Sequence, residues 1–388
     1  MAFALPVHAQ ELGDGVQAHG FISQGVAMTS DNHVGGNSNG GPAWDLRELG
    51  ANLSWRPTPD WLISGQALAR WAGETDRGDV RLDYAFIDRT LHADGHAQTG
   101  VRLGKIKNPI GFFNTTRDVA HTRPGIIMPQ SIYLDRIRNF YLAAPGASLY
   151  GNRSGDAGTL SWQVSALRPE VEDEELERVF MLLNRLGHFV GKTSWLGQVS
   201  LDSVDGGWRG GLSLGEFRMN YKPGGPFGPN PFTQDLAAGN HRLPLWVLSL
   251  EHNTEDWSLT AEYSQTTIKA RDYGSIISFR DNTTEAWYVQ ATRRLPDGWQ
   301  GYLRYDVLYL DKDDKKGIAF GTPLNLPQHS RFARDWVLGM RRDIDRLALS
   351  AEVHRVDGTA WLAQMDNPAA GLLVRKWNML LLQAAWRF

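Results

Sequence analysis

The sequence predicts an all-β protein, a transmembrane antiparallel β-barrel of 16 strands, and three observations support this fold class. Segments of about ten residues alternate between apolar and polar side chains, as expected of strands whose two faces meet different surroundings. Short turns and longer polar connections alternate along the chain. Aromatic residues recur at the ends of the alternating segments, where membrane barrels carry interfacial girdles. A soluble β-sandwich also has alternating strands, but its strands are usually shorter.

The end of the chain shows the alternation most clearly. The residues of one parity are Leu380, Leu382, Ala384, Trp386 and Phe388. On a strand they share one face, which we expect to contact lipid. Because hydrocarbon does not tolerate an open sheet edge, this strand should pair with the first strand, near residues 16–28.

The connections set the number of strands. Seven short turns rich in Gly, Pro, Asp and Asn are predicted at Pro57–Asp60, Ala93–His96, Asn152–Gly158, Ser203–Gly206, Asn253–Asp256, Pro296–Gly298 and Arg342–Asp345. Eight longer connections are predicted near 30–43, 73–78, 108–146, 168–190, 222–242, 270–283, 312–333 and 356–373. Fifteen connections require 16 strands.

One segment changes its parity. Its apolar residues occupy even positions at Trp208, Leu212 and Leu214 and then odd positions at Phe217, Met219 and Tyr221. Gly215 lies at the change and suits a β-bulge, which would keep both sets on the outward face. In the preceding strand, Phe189 and Trp195 are also expected to face outward together.

Composition excludes several classes of protein. The chain has 388 residues, 11% of them aromatic, a formal net charge of −3 and no cysteine. Without an apolar run of about 18 residues, transmembrane helices are excluded. The charge balance argues against nucleic-acid binding, and the lack of cysteine removes disulfides, thiol catalysis and cysteine-based zinc sites.

No metal or cofactor is expected. The acidic stretch Asp311–Lys316 alternates with lysines and lacks the Gly and Glu positions of a calcium loop. The histidines form no HExxH motif, and neither 35–41 nor 191–193 has the spacing of a phosphate-binding loop.

Two segments lie outside the barrel pattern. Residues 1–9 end in Val7-His8-Ala9, which fits the remnant of a signal peptide, although an ordinary disordered N-terminus is the alternative. Residues 10–388 are then a single barrel domain. A short helix is predicted within 171–187, with an acidic first turn and an apolar stripe of Leu176, Val179, Phe180, Leu183 and Leu186. It should pack over the barrel mouth; a plug or a partner-binding helix remains open.

The third long connection, about 108–146, carries the candidate site. It contains many apolar residues, which a loop in water would not need, so we expect it to fold into the pore. The predicted pore constriction and anion-binding residues are Arg117, Asp118, Arg123, Asp135, Arg136 and Arg138, with Lys105 and Lys107 below them on the wall. From 105 to 138, six basic residues face two acidic ones. A narrow pore focuses the electric field of these positive charges, which favours the passage of anions.

The predicted pore wall is balanced in charge. Its inward residues include Arg70, Arg81, Asp83, Arg102, Arg304, Asp306 and Arg341. Ten basic and nine acidic residues face inward by parity, so the wall alone predicts no selectivity.

The segment Arg102–Asn114, with its basic strand followed by Pro109-Ile110-Gly111-Phe112, and the terminal Phe388 resemble bacterial outer-membrane porins. The resemblance is to the phosphate-selective (O/P-like) and related substrate-specific porins. It implies short periplasmic turns, long external loops, a constriction on the third loop and a homotrimer in the outer membrane, in contact with the lipid bilayer and lipopolysaccharide. The family's basic ladder does not map residue by residue onto this chain, so no phosphate specificity is implied.

Together these features predict a porin for passive diffusion of small hydrophilic, anionic solutes, and not an enzyme. The alternative is a barrel-borne surface enzyme or adhesin that acts through its external loops. No spacing of Ser, His and Asp suggests a catalytic triad. Small residues expected to face outward, Gly65, Ala67 and Ala69, offer a low surface where barrels could meet.

Overall fold

A computed structural model describes residues 10–13, 15–181, 185–230, 232–274, 281–320 and 326–388. The strands of the first half are β1 Gln10–Gly13, β2 Val16–Thr29, β3 Ala43–Thr58, β4 Trp61–Ala72, β5 Arg77–Ala93, β6 Ala97–Lys107, β7 Ala143–Gly155, β8 Gly158–Leu167 and β9 His188–Asp202. Those of the second half are β10 Trp208–Lys222, β11 Gly239–Asn253, β12 Trp257–Arg271, β13 Asn282–Arg294, β14 Trp299–Tyr309, β15 Phe332–Ile344, β16 Leu347–Gly358 and β17 Lys376–Arg387.

The helices of the described residues are short. They include α1 Arg138–Leu142 and α2 Glu174–Met181, with 3₁₀ turns at Ala120–Thr122, Asp135–Ile137, Gln328–Arg331 and Ala370–Leu372. Across the described ranges, no helix has the length and apolar character needed to cross a membrane.

Strands β2 to β17 form a closed antiparallel barrel of 16 strands, as predicted. Each strand pairs with its neighbour in sequence, and β17 pairs with β2 from Met379↔Thr29 to Arg387↔Phe21. The backbones of Gly20 and Phe388 exchange two hydrogen bonds of 2.9 Å at this seam. The prediction that the last strand closes on the first is confirmed.

The short strand β1 lies outside this count. It pairs with β2 at Gln10↔Ala18 and Glu11↔Gln17. At these positions β3 pairs with the other edge of β2. Strand β1 therefore lies on the same edge of β2 with which β17 pairs from Phe21 to Thr29. The predicted signal remnant, 1–9, lies outside the described residues.

The two ends of the barrel differ, as expected. Seven short turns connect the strands at one end, here called the short-turn end, and the eight other connections lie at the opposite, long-loop end. The second of these connections is shorter than predicted, because β4 ends at Ala72 and β5 already begins at Arg77.

The outer surface of the barrel is apolar. Exposed residues on it include Leu49, Leu53, Val164, Leu248, Leu338 and Val353. The predicted lipid face of the last strand is also exposed at Leu382, Trp386 and Phe388, whereas Leu381 and Ala385 are buried inside. Exposing so many large apolar side chains to water is unfavourable, so this outer surface indicates that the barrel is surrounded by lipid.

The predicted bulge at Gly215 in β10 is wrong, because β10 pairs with β11 without a register shift from Trp208↔His252 to Tyr221↔Gly239. Phe217 is 1% exposed, and Met219 and Tyr221 are equally buried inside the barrel. The bulge lies instead in β9, where Glu216 pairs with Trp195 but Arg218 pairs with Lys192. Phe189 therefore also points inward, whereas Trp195 is 53% exposed. Near the long-loop end the interior is apolar because loops fold into it, so apolar parity no longer marks the outer face.

Candidate functional site

The third long connection, residues 108–142 between β6 and β7, folds into the barrel as predicted; we call it loop 3. Its apolar side chains join the main buried cluster, among them Ile110, Ile126, Met128, Ile132, Tyr133 and Phe140. The loop has no regular strand, so side chains and wall residues must supply partners for its backbone.

A polar clasp holds the base of loop 3. The Asn114 side-chain amide donates to the carbonyl of Asn108 at 3.0 Å and to that of Tyr141 at 2.7 Å. Gly111 lies next to this clasp with φ 58°. A Cβ there would lie 2.4 Å from the Tyr133 hydroxyl. The tight turn therefore requires glycine for both its backbone conformation and its space.

Buried carboxylates of the wall accept hydrogen bonds from loop 3. Glu262 on β12 accepts the Phe112 amide at 2.8 Å and the Tyr133 hydroxyl at 2.6 Å. Asp306 on β14 accepts the amide of Gln130 at 2.7 Å. Loop 3 is thus attached to the wall far from the strands where it begins.

A third carboxylate, Glu352 on β16, completes this set. It accepts the Ile126 amide at 2.9 Å and the Tyr302 hydroxyl at 2.5 Å. His354 lies between Glu352, 3.2 Å from Nε2, and Asp335, 2.7 Å from Nδ1. We call Glu262, Asp306 and Glu352 the wall anchors. Sequence analysis missed Glu262 and Glu352 as site residues, because parity shows only that they face inward.

On the opposite side, loop 3 meets β3, β4 and β5 through ion pairs. We call the five residues Arg70, Arg81, Arg117, Arg123 and Arg138 the arginine cluster. Arg123 Nη2 lies 2.7 Å from Glu48, and Arg138 Nη2 lies 2.9 Å from Asp83.

The other members of the arginine cluster share carboxylates. Arg70 pairs with Asp76 and Asp135 and lies 3.3 Å from Glu48. Arg81 also pairs with Asp76. Arg117 Nη2 lies 3.2 Å from Asp135 and donates to the Tyr133 carbonyl at 3.0 Å.

The charges of the cluster change the acidity of loop residues. Burial alone would raise the pKa of Asp135, but Arg70 and Arg117 lower it to about 2. Burial lowers the pKa of Arg117 to about 10, and the nearby Arg138 and Arg70 act in the same direction, against Asp135. Arg117 is thus incompletely compensated by negative charge.

The remaining predicted constriction residues are paired as well. Lys107 Nζ lies 2.7 Å from Asp118. Lys105 Nζ lies 2.7 Å from Glu170, in the next long connection. Arg136 donates to the Leu362 carbonyl at 3.0 Å and lies 3.8 Å from Glu175. The partners of Lys105 and Arg136 come from outside 105–138, so a charge count over that segment could not find them.

The predicted wall residues occupy two levels. Arg304 is 1% exposed and lies near Gln290 and the Ile127 carbonyl, at the level of loop 3. Arg341 binds Asp343 at 2.7 Å and donates to the His121 carbonyl at 2.9 Å.

Arg102 lies nearer the short-turn end. Its Nε is 2.6 Å from Asp88, and its guanidinium lies 4.3 Å from the Tyr150 ring centroid. Tyr150 donates its hydroxyl to Asp88 at 2.7 Å. Asp88 thereby orients both side chains. Arg102 borders a recess of about 410 Å³ lined by polar residues such as Gln98, Asn152 and Gln163.

The predicted helix is present as α2, beginning at Glu174. Asp173 caps it by accepting the amides of Glu175 and Leu176 at 2.9 and 3.2 Å. Leu176 is fully buried, and Phe180 contacts Phe140 of loop 3, with ring centroids 6.3 Å apart. Of the expected stripe, Leu183 lies outside the described residues and Leu186 is exposed.

Helix α2 is tied to two loops. Glu175 accepts the amides of Gln364 and Met365, in the last connection, at 2.9 and 3.0 Å. Burial raises the pKa of Glu175, against the opposing charge of Arg136. The helix therefore packs on loop 3 at the long-loop end.

Two small cavities of about 30 and 50 Å³ border loop 3. Loop 3 crosses the lumen from the β3–β5 side to the β12–β16 side, and the polar recess at Arg102 lies towards the short-turn end.

Comparison with known proteins supports the fold and leaves the sequence family open. No family model matches the sequence, and no curated protein matches it significantly. The anion-selective porin from Comamonas acidovorans is 13% identical, with a TM-score of 0.58 over 96% of this chain and 99% of that chain. The outer-membrane channel DcaP of Acinetobacter baumannii is 11% identical, with a TM-score of 0.58 over 96% and 97%. OmpT, an outer-membrane protein of Vibrio cholerae, is 10% identical, with a TM-score of 0.57 over 98% and 100%. The chain therefore has the fold of bacterial outer-membrane porins.

Proposed function

We propose that this protein is an outer-membrane channel through which small hydrophilic solutes diffuse passively. The observation that carries the proposal is loop 3, which crosses the lumen of a closed barrel with an apolar exterior. Sixteen strands enclose a space wide enough for an aqueous path, so an inward loop sets the size of what passes. The wall anchors hold the loop at a defined position, as a size filter requires.

We further propose a preference for anions. The predicted constriction residues Arg117, Asp118, Arg123, Asp135, Arg136, Arg138, Lys105 and Lys107 would set the field there. Their pairing reduces the positive excess that the sequence suggests, so the preference should be modest. Arg102 adds to it, because Asp88 and Tyr150 orient its guanidinium beside the polar recess. An oriented guanidinium suits oxyanions, since its planar fork binds two oxygens.

The setting we propose is the bacterial outer membrane, in contact with lipopolysaccharide, as a homotrimer. Support for the trimer comes from the barrel exterior. Gly65 and Ala67 border an apolar depression of about 950 Å³ between larger residues such as Leu53 and Leu103. A low apolar surface allows two barrels to approach closely. Light scattering in mild detergent would test the proposal, and a monomer would count against it.

Conductance in a planar bilayer tests the channel proposal. Purified protein should produce discrete current steps, small ones because loop 3 occupies much of the lumen. In a salt gradient the reversal potential should indicate anion preference, and Arg102→Gln should reduce that preference. Arg153→Gln, at an exposed site beside the turn after β7, is the matched control and should leave it unchanged. A barrel that never conducts would refute the channel, whereas cation preference would refute only the selectivity.

A further inference from the structure

The arginine cluster carries more positive than negative charge. Its five guanidiniums, of Arg70, Arg81, Arg117, Arg123 and Arg138, are paired with four carboxylates, of Glu48, Asp76, Asp83 and Asp135. Three carboxylates are shared between guanidiniums. Asp135 is shared by Arg70 and Arg117, Asp76 by Arg70 and Arg81, and Glu48 by Arg70 and Arg123. The adjacent Lys107–Asp118 pair is neutral. Among the described residues the cluster therefore has one positive charge in excess, and most of it is buried.

Arg117 is the member of the arginine cluster whose positive charge is least neutralised. This side chain is 1% exposed, and its Nη2 uses the Tyr133 carbonyl and Asp135. Its Nη1 is buried and has no hydrogen-bond partner within the described ranges of the chain. The Tyr133 ring centroid, 5.9 Å from the guanidinium carbon, lies at the outer limit of a cation–π contact. A buried donor without an acceptor is costly, and more so when it is charged.

A small cavity adjoins this side chain. Its volume is about 30 Å³, and four of the five guanidiniums line it, with Arg81 excluded. The carboxylates that line it are Glu48 and Asp135. A cavity of this size holds one or two particles as large as water. The side chain of Asp135 is 30% exposed, so the cavity has an edge open to solvent through which a particle could enter.

We propose that this cavity binds one small monovalent anion, chloride being the commonest, as a resident ion of loop 3. The anion would accept hydrogen bonds from the arginine cluster and neutralise its excess charge. Polyatomic oxyanions such as sulfate or phosphate have several heavy atoms and exceed the space.

The cavity lies between loop 3 and the wall, and it shares Arg117, Arg123 and Arg138 with the predicted constriction. Arg117, Arg123 and Arg138 belong to loop 3, whereas Arg70 and Glu48 belong to the wall. An anion bound there would connect the loop to strand β4 through the Arg70 guanidinium. It follows that chloride should stabilise the protein whether or not anions permeate it.

Bromide diffraction tests the site directly. Crystals of the full chain grown with bromide in place of chloride should show one anomalous peak in the cavity beside Arg117. Bromide has the same charge as chloride and scatters anomalously, which water does not. A cavity that contains only water, without an anomalous peak, would overturn the proposal.

Thermal unfolding in detergent tests the same site in solution. At equal ionic strength and with one cation, chloride should raise Tm by at least about 2 °C over gluconate, because a ligand that binds only the folded state stabilises it. Arg117→Met should abolish the difference, whereas Arg153→Met, the exposed control, should retain it. Equal Tm values in both salts for the wild type, or a chloride effect that persists in Arg117→Met, would contradict the proposal. If the variant does not fold, the bromide data on the wild type decide. If the channel proposal were wrong, the protein would not conduct in a planar bilayer. The bromide peak and the effect of chloride on Tm would still be expected.

Discussion

Removing the carboxylate of Glu262 should release one attachment of loop 3. Its Oε1 accepts the Phe112 amide at 2.8 Å and the Ser249 hydroxyl at 2.5 Å. Its Oε2 accepts the hydroxyls of Tyr133 and Tyr288 at 2.6 and 2.9 Å. The group is buried and accepts hydrogen bonds from four donors, which stabilise a buried carboxylate that has no ion-pair partner in the described part of the chain.

The cost of Glu262→Ala follows from these contacts. At least three donors lose their acceptor, and each costs about 1–3 kcal/mol when it stays buried. Water that enters the vacated space should bond some of these donors and reduce the cost. The docking of loop 3 should therefore lose about 3–4 kcal/mol of free energy. Glu262→Gln should cost less, since its carbonyl oxygen can serve the Phe112 amide while its NH₂ group donates to the two phenols, which also accept.

Hydrogen exchange at the Phe112 amide is the appropriate assay. A loss of about 3–4 kcal/mol corresponds to a fall in protection of about 100- to 1,000-fold, at 1.4 kcal/mol for each factor of ten. Glu251→Ala is the matched control, because this inward acid bonds Asn253 and Thr260 near the short-turn end. Unchanged Phe112 protection in Glu262→Ala would refute the role of Glu262 as an anchor.

Three further predictions concern loop 3. Removing either partner of the Asp83–Arg138 pair should destabilise the fold by about 3–5 kcal/mol, because the other charge stays buried without its partner. Removing both should cost less than the sum of the two single effects in a double-mutant cycle of unfolding free energies. Additive effects would contradict the pairing. The folded-state pKa of Asp135 is lowered to about 2, so its ionised form stabilises the docking of loop 3 above its usual pKa near 4. This stabilisation should be lost as the pH falls from about 4 to 2, which proteolysis of loop 3 would measure. Asp135→Asn should remove this dependence on pH. Gly111→Ala should lower Tm, since φ 58° and the nearby Tyr133 hydroxyl exclude a methyl group, whereas Gly95→Ala, in an open turn, should not.

The barrel was predictable because its signals are local. The alternation at Leu380–Phe388 and the regular spacing of turns depend only on a strand having two faces and a polar turn needing particular residues. The same reasoning failed at Phe217 and Phe189. These residues face an interior that loop 3 and α2 make apolar, so their environment depends on segments far away in sequence.

The site was predictable only in part. The apolar content of loop 3 indicated its inward fold, which the structure confirms. The net positive charge of 105–138 was a poor guide to the field, because the partners Glu48, Asp83 and Glu170 lie on other elements. Glu262 and Glu352 look like any inward acid in the sequence. Only the path of loop 3 across the lumen distinguishes them.

Single-channel conductance of the wild type beside the double variant Glu262→Ala/Glu352→Ala tests the central claim, that an anchored loop 3 restricts a conducting barrel. Both should insert in a planar bilayer and conduct. The double variant, with two wall anchors removed, should show larger or noisier steps, whereas the control Glu251→Ala should match the wild type. A wild type that conducts nothing, or a double variant with the same conductance and noise as the wild type, would contradict the account.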